Sequence, residues 1–94
     1  MAKKAIVVGA GAGGLATAVE LSSAGWQVDV FESRHEPGGK MHQRQVGDSS
    51  IDGGPTVFTM HWVFDQLFRR GGAHFDDRLK LTESRRLARH AWTD

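Results

Sequence analysis

Ala5-Ile6-Val7-Val8 is an unbroken apolar run, rich in β-branched residues and stopped by Gly9. Such a run predicts a strand buried on both faces, the kind found in parallel sheets. A glycine-rich turn follows, and from Ala12 to Ala24 the residues are mostly good helix formers. Leu15, Ala18, Val19 and Ser22 fall on one helical face at i, i+3, i+4 and i+7. Gly25 stands where a helix-terminating glycine belongs. The rhythm then changes to period two over Trp26–Glu32, which predicts a second strand. Strand, helix and strand within about 30 residues make a βαβ unit, with parallel strands and a right-handed crossover.

Downstream the pattern weakens. Ser33–Met41 reads as a loop around Pro37-Gly38-Gly39, and His42–Val46 as a short strand closed by a Gly47-Asp48 turn. Ile51-Asp52 leads into a second glycine loop, Gly53-Gly54-Pro55. Thr59 is the expected N-cap of an amphipathic helix with Met60, Val63, Phe64, Leu67 and Phe68 on one face and Gly71-Gly72 at its end. From Ala73 the chain is charged; Leu79 and Leu81 suggest a strand edge, and Thr82–Arg89 a short polar helix. The fold class is therefore α/β, a Rossmann-like βαβ unit. Residues 1–58 hold the dinucleotide-binding region, and 59–94 open a following helical segment.

Composition narrows the function. The 94 residues support one domain at most, and a chain of that size buries only about 60–65% of its unfolded surface. Twelve basic against eleven acidic residues give a net charge of +1, which excludes a bulk electrostatic nucleic-acid binder. Cysteine is absent, so thiol catalysis and disulfides are excluded, and a reducing compartment fits. Lys3-Lys4 and the apolar run after it stop short of the roughly 7–15 residues of a secretory signal core. No stretch approaches the ~20 apolar residues of a membrane span. The expectation is a cytoplasmic protein, at most peripheral to a membrane.

The candidate chemistry lies in the glycines. Gly9-Ala10-Gly11-Ala12-Gly13-Gly14 matches G-x-G-x-x-G. Alone the motif is weak; here it leaves a predicted strand, opens a predicted helix and precedes Glu32, about 20 residues on at the end of the second strand. Gly9 permits the tight turn, Gly11 lets a pyrophosphate approach the backbone, and Gly14 allows close helix–strand packing. The helix N-terminus offers free N–H groups and partial positive charge to phosphates. Glu32 suits ribose hydroxyls and repels a 2′-phosphate, which favours FAD or NAD over NADP.

The next glycines carry a resemblance. Glu32 is followed by Gly38-Gly39-Lys40 and later by Asp52-Gly53-Gly54-Pro55-Thr56. This arrangement resembles the flavin-containing amine oxidase and phytoene desaturase superfamily, which joins the dinucleotide fingerprint to an E-x-x-x-x-x-G-G-[RK] segment and a D-x-G-P loop. Asp52–Met60, with Trp62-Val63-Phe64-Asp65 and the tail Leu87–Asp94, is similar to bacterial carotenoid desaturases, in particular those that dehydrogenate hydroxy- and methoxy-carotenoids. Two positions depart from the family pattern: Lys40 stands for the commoner Arg, and Gly53 for the usual Ala. The resemblance implies FAD as cofactor, with contacts at Gly9, Ala10, Gly11, Gly13, Gly14, Glu32, Ser33, Gly39, Lys40, Gly54, Pro55 and Thr56. It also implies a lipid-soluble polyene substrate and a peripheral membrane contact. Such enzymes are several times longer than 94 residues, so it implies an N-terminal piece that is inactive alone, with the substrate domain beyond Asp94.

Other readings stay open beside this one. Another flavoenzyme of the superfamily, an amine or protoporphyrinogen oxidase, shares the motifs. A non-catalytic nucleotide-binding module needs only the first of them. The five histidines show no metal-ligand spacing. No nucleophile–base set and no pair of carboxylates identifies a catalytic residue. Arg69-Arg70 and Arg85-Arg86-Arg89 read as solvated faces, or as contacts for anionic headgroups.

Overall fold

The structure, a computed structural model, describes residues 3–86 and 88–93. Strand β1 (Lys4–Val8) runs into helix α1 (Ala12–Ser23), which returns to strand β2 (Gln27–Phe31). The two strands are parallel, with Ala5 opposite Val28 and Val7 opposite Val30. This is the expected βαβ unit. Its helix ends as its sequence predicts: Gly25 takes a φ of +91°. Its N–H donates to the Ser22 carbonyl at 3.0 Å, and the Trp26 N–H donates to the Leu21 carbonyl at 3.0 Å. The glycine is needed because this reversal passes through the left-handed region.

The expectation that β1 is buried on both faces fails. Ala5 and Val7 are half-buried toward α1, but Ile6 and Val8, on the other face, are 67% and 85% exposed. Phe31, opposite Val8 in the register, is 59% exposed on that same face. An apolar run signals the capacity for two-sided burial; the partners that realise it lie outside the run.

Strands β3 (Gln43–Val46) and β4 (Ser49–Asp52) pair antiparallel around Gly47-Asp48, extending the expected single short strand to a hairpin. Helix α2 (His61–Arg70) lies against α1. Arg70 pairs with Glu20 across the two helices, and a Cβ on Gly71 would come within 3.1 Å of Val19 Cγ1. Thr59 is not its N-cap. The cap is Met60, held at a φ of 55° with no side-chain hydrogen bond.

A single helical turn, α3 (Phe75–Arg78), follows. Phe75 is fully buried, with Phe58 and Phe68 at ring-centroid distances of 5.9 and 5.1 Å. Four residues are too few to show a helical period, so the turn is silent in sequence. Leu79 and Leu81 are not in a strand; they are 47% and 48% exposed. The expected helix over Thr82–Arg89 is absent at 82–86, 88 and 89, and Leu87 and Asp94 lie outside the described residues. Ser84 offers a physical reason: its hydroxyl donates to the Arg86 carbonyl at 2.7 Å and accepts the Arg86 N–H at 3.4 Å. A side chain that captures the backbone locally competes with helix formation.

The result is elongated. The radius of gyration is 17.2 Å, against about 12 Å for a compact domain of this length. Among the described residues only Ala10 and Phe75 are buried apolar positions. Stability should therefore concentrate at the aromatic cluster. Phe75→Ala is expected to lower the unfolding free energy by about 3 kcal/mol, whereas Val8→Thr on the open sheet face should stay within about 0.5 kcal/mol. Urea-unfolding midpoints of the two variants check the contrast.

Candidate functional site

The site begins at the turn between β1 and α1. Gly9 extends the strand pairing, donating its N–H to the Phe31 carbonyl at 2.7 Å, and turns the chain at a φ of 99°. Gly11 caps α1 from an extended conformation, with no side-chain cap and no acidic residue in the first turn. The first-turn N–H groups and the positive end of the helix dipole are thus left to face outward without a neutralising side chain.

Three glycines of the motif answer to different constraints. A Cβ on Gly14 would lie 2.0 Å from the Gly9 carbonyl oxygen and 3.4 Å from Val7 Cγ1, so the protein itself forbids it. A Cβ on Gly11 would meet nothing nearer than the Gly39 Cα at 3.9 Å. The fold leaves Gly11 free to be any small residue, and its bareness is a cradle that a Cβ would fill. A Cβ on Gly13 meets nothing, and that residue only offers its carbonyl to the Thr17 hydroxyl at 2.8 Å.

Glu32 stands just beyond β2 and reaches back to the turn. Its Oε1 accepts the Ala10 N–H at 3.0 Å, and its Oε2 accepts the Arg34 N–H at 3.3 Å. These contacts hold its carboxyl below the ordinary glutamate range, the Ala10 N–H most and the Arg34 N–H next; burial pulls weakly the other way. A carboxylate has about four acceptor positions, so two bonds leave capacity for further donors.

The second glycine loop is folded onto the first. The Gly38 N–H donates to the Ala10 carbonyl at 2.7 Å. A Cβ on Gly39, whose φ is 60°, would come within 3.1 Å of the Gly11 Cα. The Arg34 guanidinium donates through Nη1 to the Gly39 carbonyl at 3.3 Å. The third cluster joins through Lys40: a Cβ on Gly54 would lie 1.9 Å from its carbonyl oxygen. His42 Nδ1 sits 3.0 Å from that oxygen. The imidazole also fills the space beside Gly53, where a Cβ would be 2.7 Å from Nε2. Glycine at 53 thus makes room for His42.

The residues singled out in the sequence therefore converge, from Gly9 through Glu32 and Gly39 to Gly54. Ser33 is exposed beside Glu32. Thr56 lines a separate open cleft with His61 and Leu81. A largely apolar cleft of about 570 Å³ runs from Gly11 and Gly39 past Lys40 and Pro55 to Met41 and Phe64. Sequence reasoning singled out the Gly38-Gly39 loop but missed the role of Arg34 and the aromatic wall of Phe58 and Phe64, whose rings lie 4.8 Å apart. Only the i, i+4 pair Phe64 and Phe68 hinted at that wall. Among the described residues no group of three or more acidic or histidine side chains is gathered to hold a metal, and no helix is long and apolar enough to cross a membrane.

A parallel βαβ unit with an uncapped helix behind a glycine turn, and a carboxylate at the end of the second strand, is the dinucleotide-binding arrangement. The family of NAD(P)-binding Rossmann-like domains matches residues 7–70, and the chain belongs to it. Its similarity to individual proteins is narrower. It is 48% identical over 89 residues to the hydroxyneurosporene desaturase of Rubrivivax gelatinosus, covering 95% of this chain and 17% of that protein. The hydroxyneurosporene desaturase of Cereibacter sphaeroides is 45% identical over 91 residues, covering 97% and 18%. The zeta-carotene-forming phytoene desaturase of Myxococcus xanthus is 43% identical over 79 residues, covering 84% and 15%. The chain thus spans less than a fifth of the length of these relatives.

Two outcomes follow from the geometry. Gly14→Ala should destabilise the chain strongly, because the backbone at Gly9 must move, while Gly13→Ala should be neutral or stabilising by up to about 1 kcal/mol; thermal melts followed by circular dichroism separate them. The Glu32 grip on the turn is fully present above the ordinary glutamate range, about 4.3. Since its folded-state value is depressed, the grip is lost as pH falls through that lower value. The Ala10 amide proton, followed by NMR chemical shift, should hold its position through the ordinary glutamate range and move only at lower pH.

Proposed function

We propose that this chain forms the adenosine-diphosphate cradle of an FAD-dependent carotenoid desaturase. The observation that carries the reading is Gly11. Its bareness serves no contact within the protein, and it stands at the head of an uncapped helix opposite a second glycine loop. A pyrophosphate is the group that needs such a backbone surface. The first-turn N–H groups of α1 bind it, and Gly39 and Lys40 border it from the second loop. Glu32 spends its remaining acceptor positions on the ribose hydroxyls, with Ser33 beside it. Gly54 packs its backbone against the Lys40 carbonyl and Pro55 continues the border; Gly13, in the first turn of α1, and Thr56, next to Pro55, are assigned to the cofactor by the family resemblance alone.

The apolar cleft favours FAD over NAD. Its walls, Met41, Val57, Phe58 and Phe64, are mostly apolar and suit a broad flat ring, with Lys40 and Thr59 as the polar side chains of the lining. When bound, the flavin supplies the two-electron acceptor chemistry of the reaction. The protein's part is to bind, orient and exclude water.

The names of the similar proteins, hydroxyneurosporene desaturases among them, support a hydroxy-carotenoid substrate such as hydroxyneurosporene, dehydrogenated at a C–C bond; we extend the class to methoxy-carotenoids. A substrate of this kind dissolves in lipid. The reading accordingly places the protein in the cytoplasm with a peripheral membrane contact, and gives it no nucleic-acid partner.

Two substitutions test the cofactor. Glu32→Ala should weaken flavin retention, because the ribose hydroxyls lose their charged acceptor. Gly11→Val should abolish it with far-UV circular dichroism unchanged. Flavin absorbance after gel filtration is the measurement, and parent-like flavin content in both variants overturns the assignment. For the substrate, a protein of the relatives' full length carrying this segment is given hydroxyneurosporene in liposomes. The expected product absorbs at longer wavelength, having gained a conjugated double bond; turnover of amines with no change in the carotenoid overturns the carotenoid reading.

A further inference from the structure

Arg34 lies two residues beyond Glu32, where an arginine near the ribose accommodates a 2′-phosphate in NADP-binding proteins. Here it is engaged elsewhere. Its main-chain N–H feeds Glu32 Oε2 and its guanidinium feeds the Gly39 carbonyl. With Glu32 on the Ala10 N–H and the Gly38 N–H on the Ala10 carbonyl, these bonds close a ring: Glu32, Ala10, Gly38, Gly39, Arg34 and back to Glu32. Ala10 spends both its backbone groups in that ring and is itself 4% exposed.

The second loop depends on this ring more than the first does. Gly38 and Gly39 have no side chains and stand at φ values of 123° and 60°. A Cβ on Gly38 would come within 2.6 Å of the Met41 carbonyl oxygen. The pair therefore cannot anchor itself with side chains; within its own loop the Gly38 carbonyl accepts the Met41 N–H at 3.0 Å, and its ties beyond that turn are the Gly38–Ala10 bond and the Arg34–Gly39 bond. Gly39 in turn sits over Gly11, and Lys40 follows it directly. Whatever holds Gly39 sets the shape of the phosphate end of the site. The adenosine end rests on Glu32 and Ala10, which are tied to each other independently of Gly39.

We propose that Arg34 is a positioning residue for the phosphate end of the dinucleotide site: its guanidinium clamps the second glycine loop onto the first and is not a receptor for a 2′-phosphate. The inference rests on the dinucleotide reading above and says which residue keeps that site assembled before any ligand arrives.

Three probes on the intact protein test it: ADP, adenosine and 2′,5′-ADP, titrated by NMR against the parent, Arg34→Met and Arg34→Lys. Hydrogen exchange at the Gly38 amide is followed without ligand. In Arg34→Met, ADP affinity should fall about fivefold, the worth of one net hydrogen bond. Adenosine affinity should hold, and the Gly38 amide should exchange faster. In Arg34→Lys the ADP affinity and the Gly38 exchange should recover together or not at all.

Equal weakening of ADP and adenosine overturns the proposal in favour of a general loss of structure. Weaker ADP binding with unchanged Gly38 exchange overturns it in favour of a direct phosphate contact. So does full recovery of ADP affinity in Arg34→Lys while Gly38 still exchanges fast. Parent binding of 2′,5′-ADP tighter than ADP, lost in Arg34→Met, restores the 2′-phosphate receptor. A parent that binds no ADP at all overturns the dinucleotide reading itself and takes the proposal with it.

Discussion

The first turn of α1 leaves β1 so tightly that Gly14 lies against the Gly9 carbonyl, where a single methyl group would reach within 2.0 Å of the oxygen. That contact fixes the angle at which the helix departs from the strand. It brings the N–H groups of the first turn to the carboxyl end of the sheet, which is where parallel α/β folds bind their ligands. It also sets Gly11 at the mouth of the site and Ala10 within reach of Glu32. A looser turn would keep the helix and the strand but lose their relation.

Around that contact the site is built almost wholly from backbone. Ala10 gives its N–H to Glu32 and takes the Gly38 N–H on its carbonyl. Gly39 lies over Gly11, and Gly54 lies against the Lys40 carbonyl. Three glycine clusters far apart in the chain are thus stacked edge to edge. Side chains enter as ties between them, Glu32 and Arg34 in one direction and His42 in the other. Such a surface presents peptide dipoles at close range, which suits a phosphate better than any arrangement of long flexible cations.

The energetics are uneven. Phe75 is buried among Phe58 and Phe68, and α2 is held on α1 partly through Arg70 and Glu20. The sheet has no comparable support. One face meets α1, while Ile6, Val8 and Phe31 stand open on the other. Parallel sheets are characteristically covered on both faces. The apolar surface left exposed here carries the same pattern that in a doubly wound fold lies under a second helical layer.

Local physics determined much of this protein from its sequence. A β-branched run, a helical stripe and a return to period two identified the βαβ unit, because each depends on neighbours within a few residues. The capping glycine at 25 and the glycine turn after β1 were legible for the same reason: a positive φ or a forbidden Cβ leaves glycine as the simplest solution. The similarity of Glu32, Gly39 and Gly54 to a family pattern singled out positions that the fold draws together, without saying how they meet. Tertiary structure alone decided that Ala10 is the hub of the two loops, that Arg34 turns toward Gly39, and that Gly53 is bare on account of His42. It also decided that Phe75, in a turn too short to show a period, is the buried aromatic at the centre of the cluster. Each of these rests on contacts between residues distant in sequence, and periodicity carries no record of such distances.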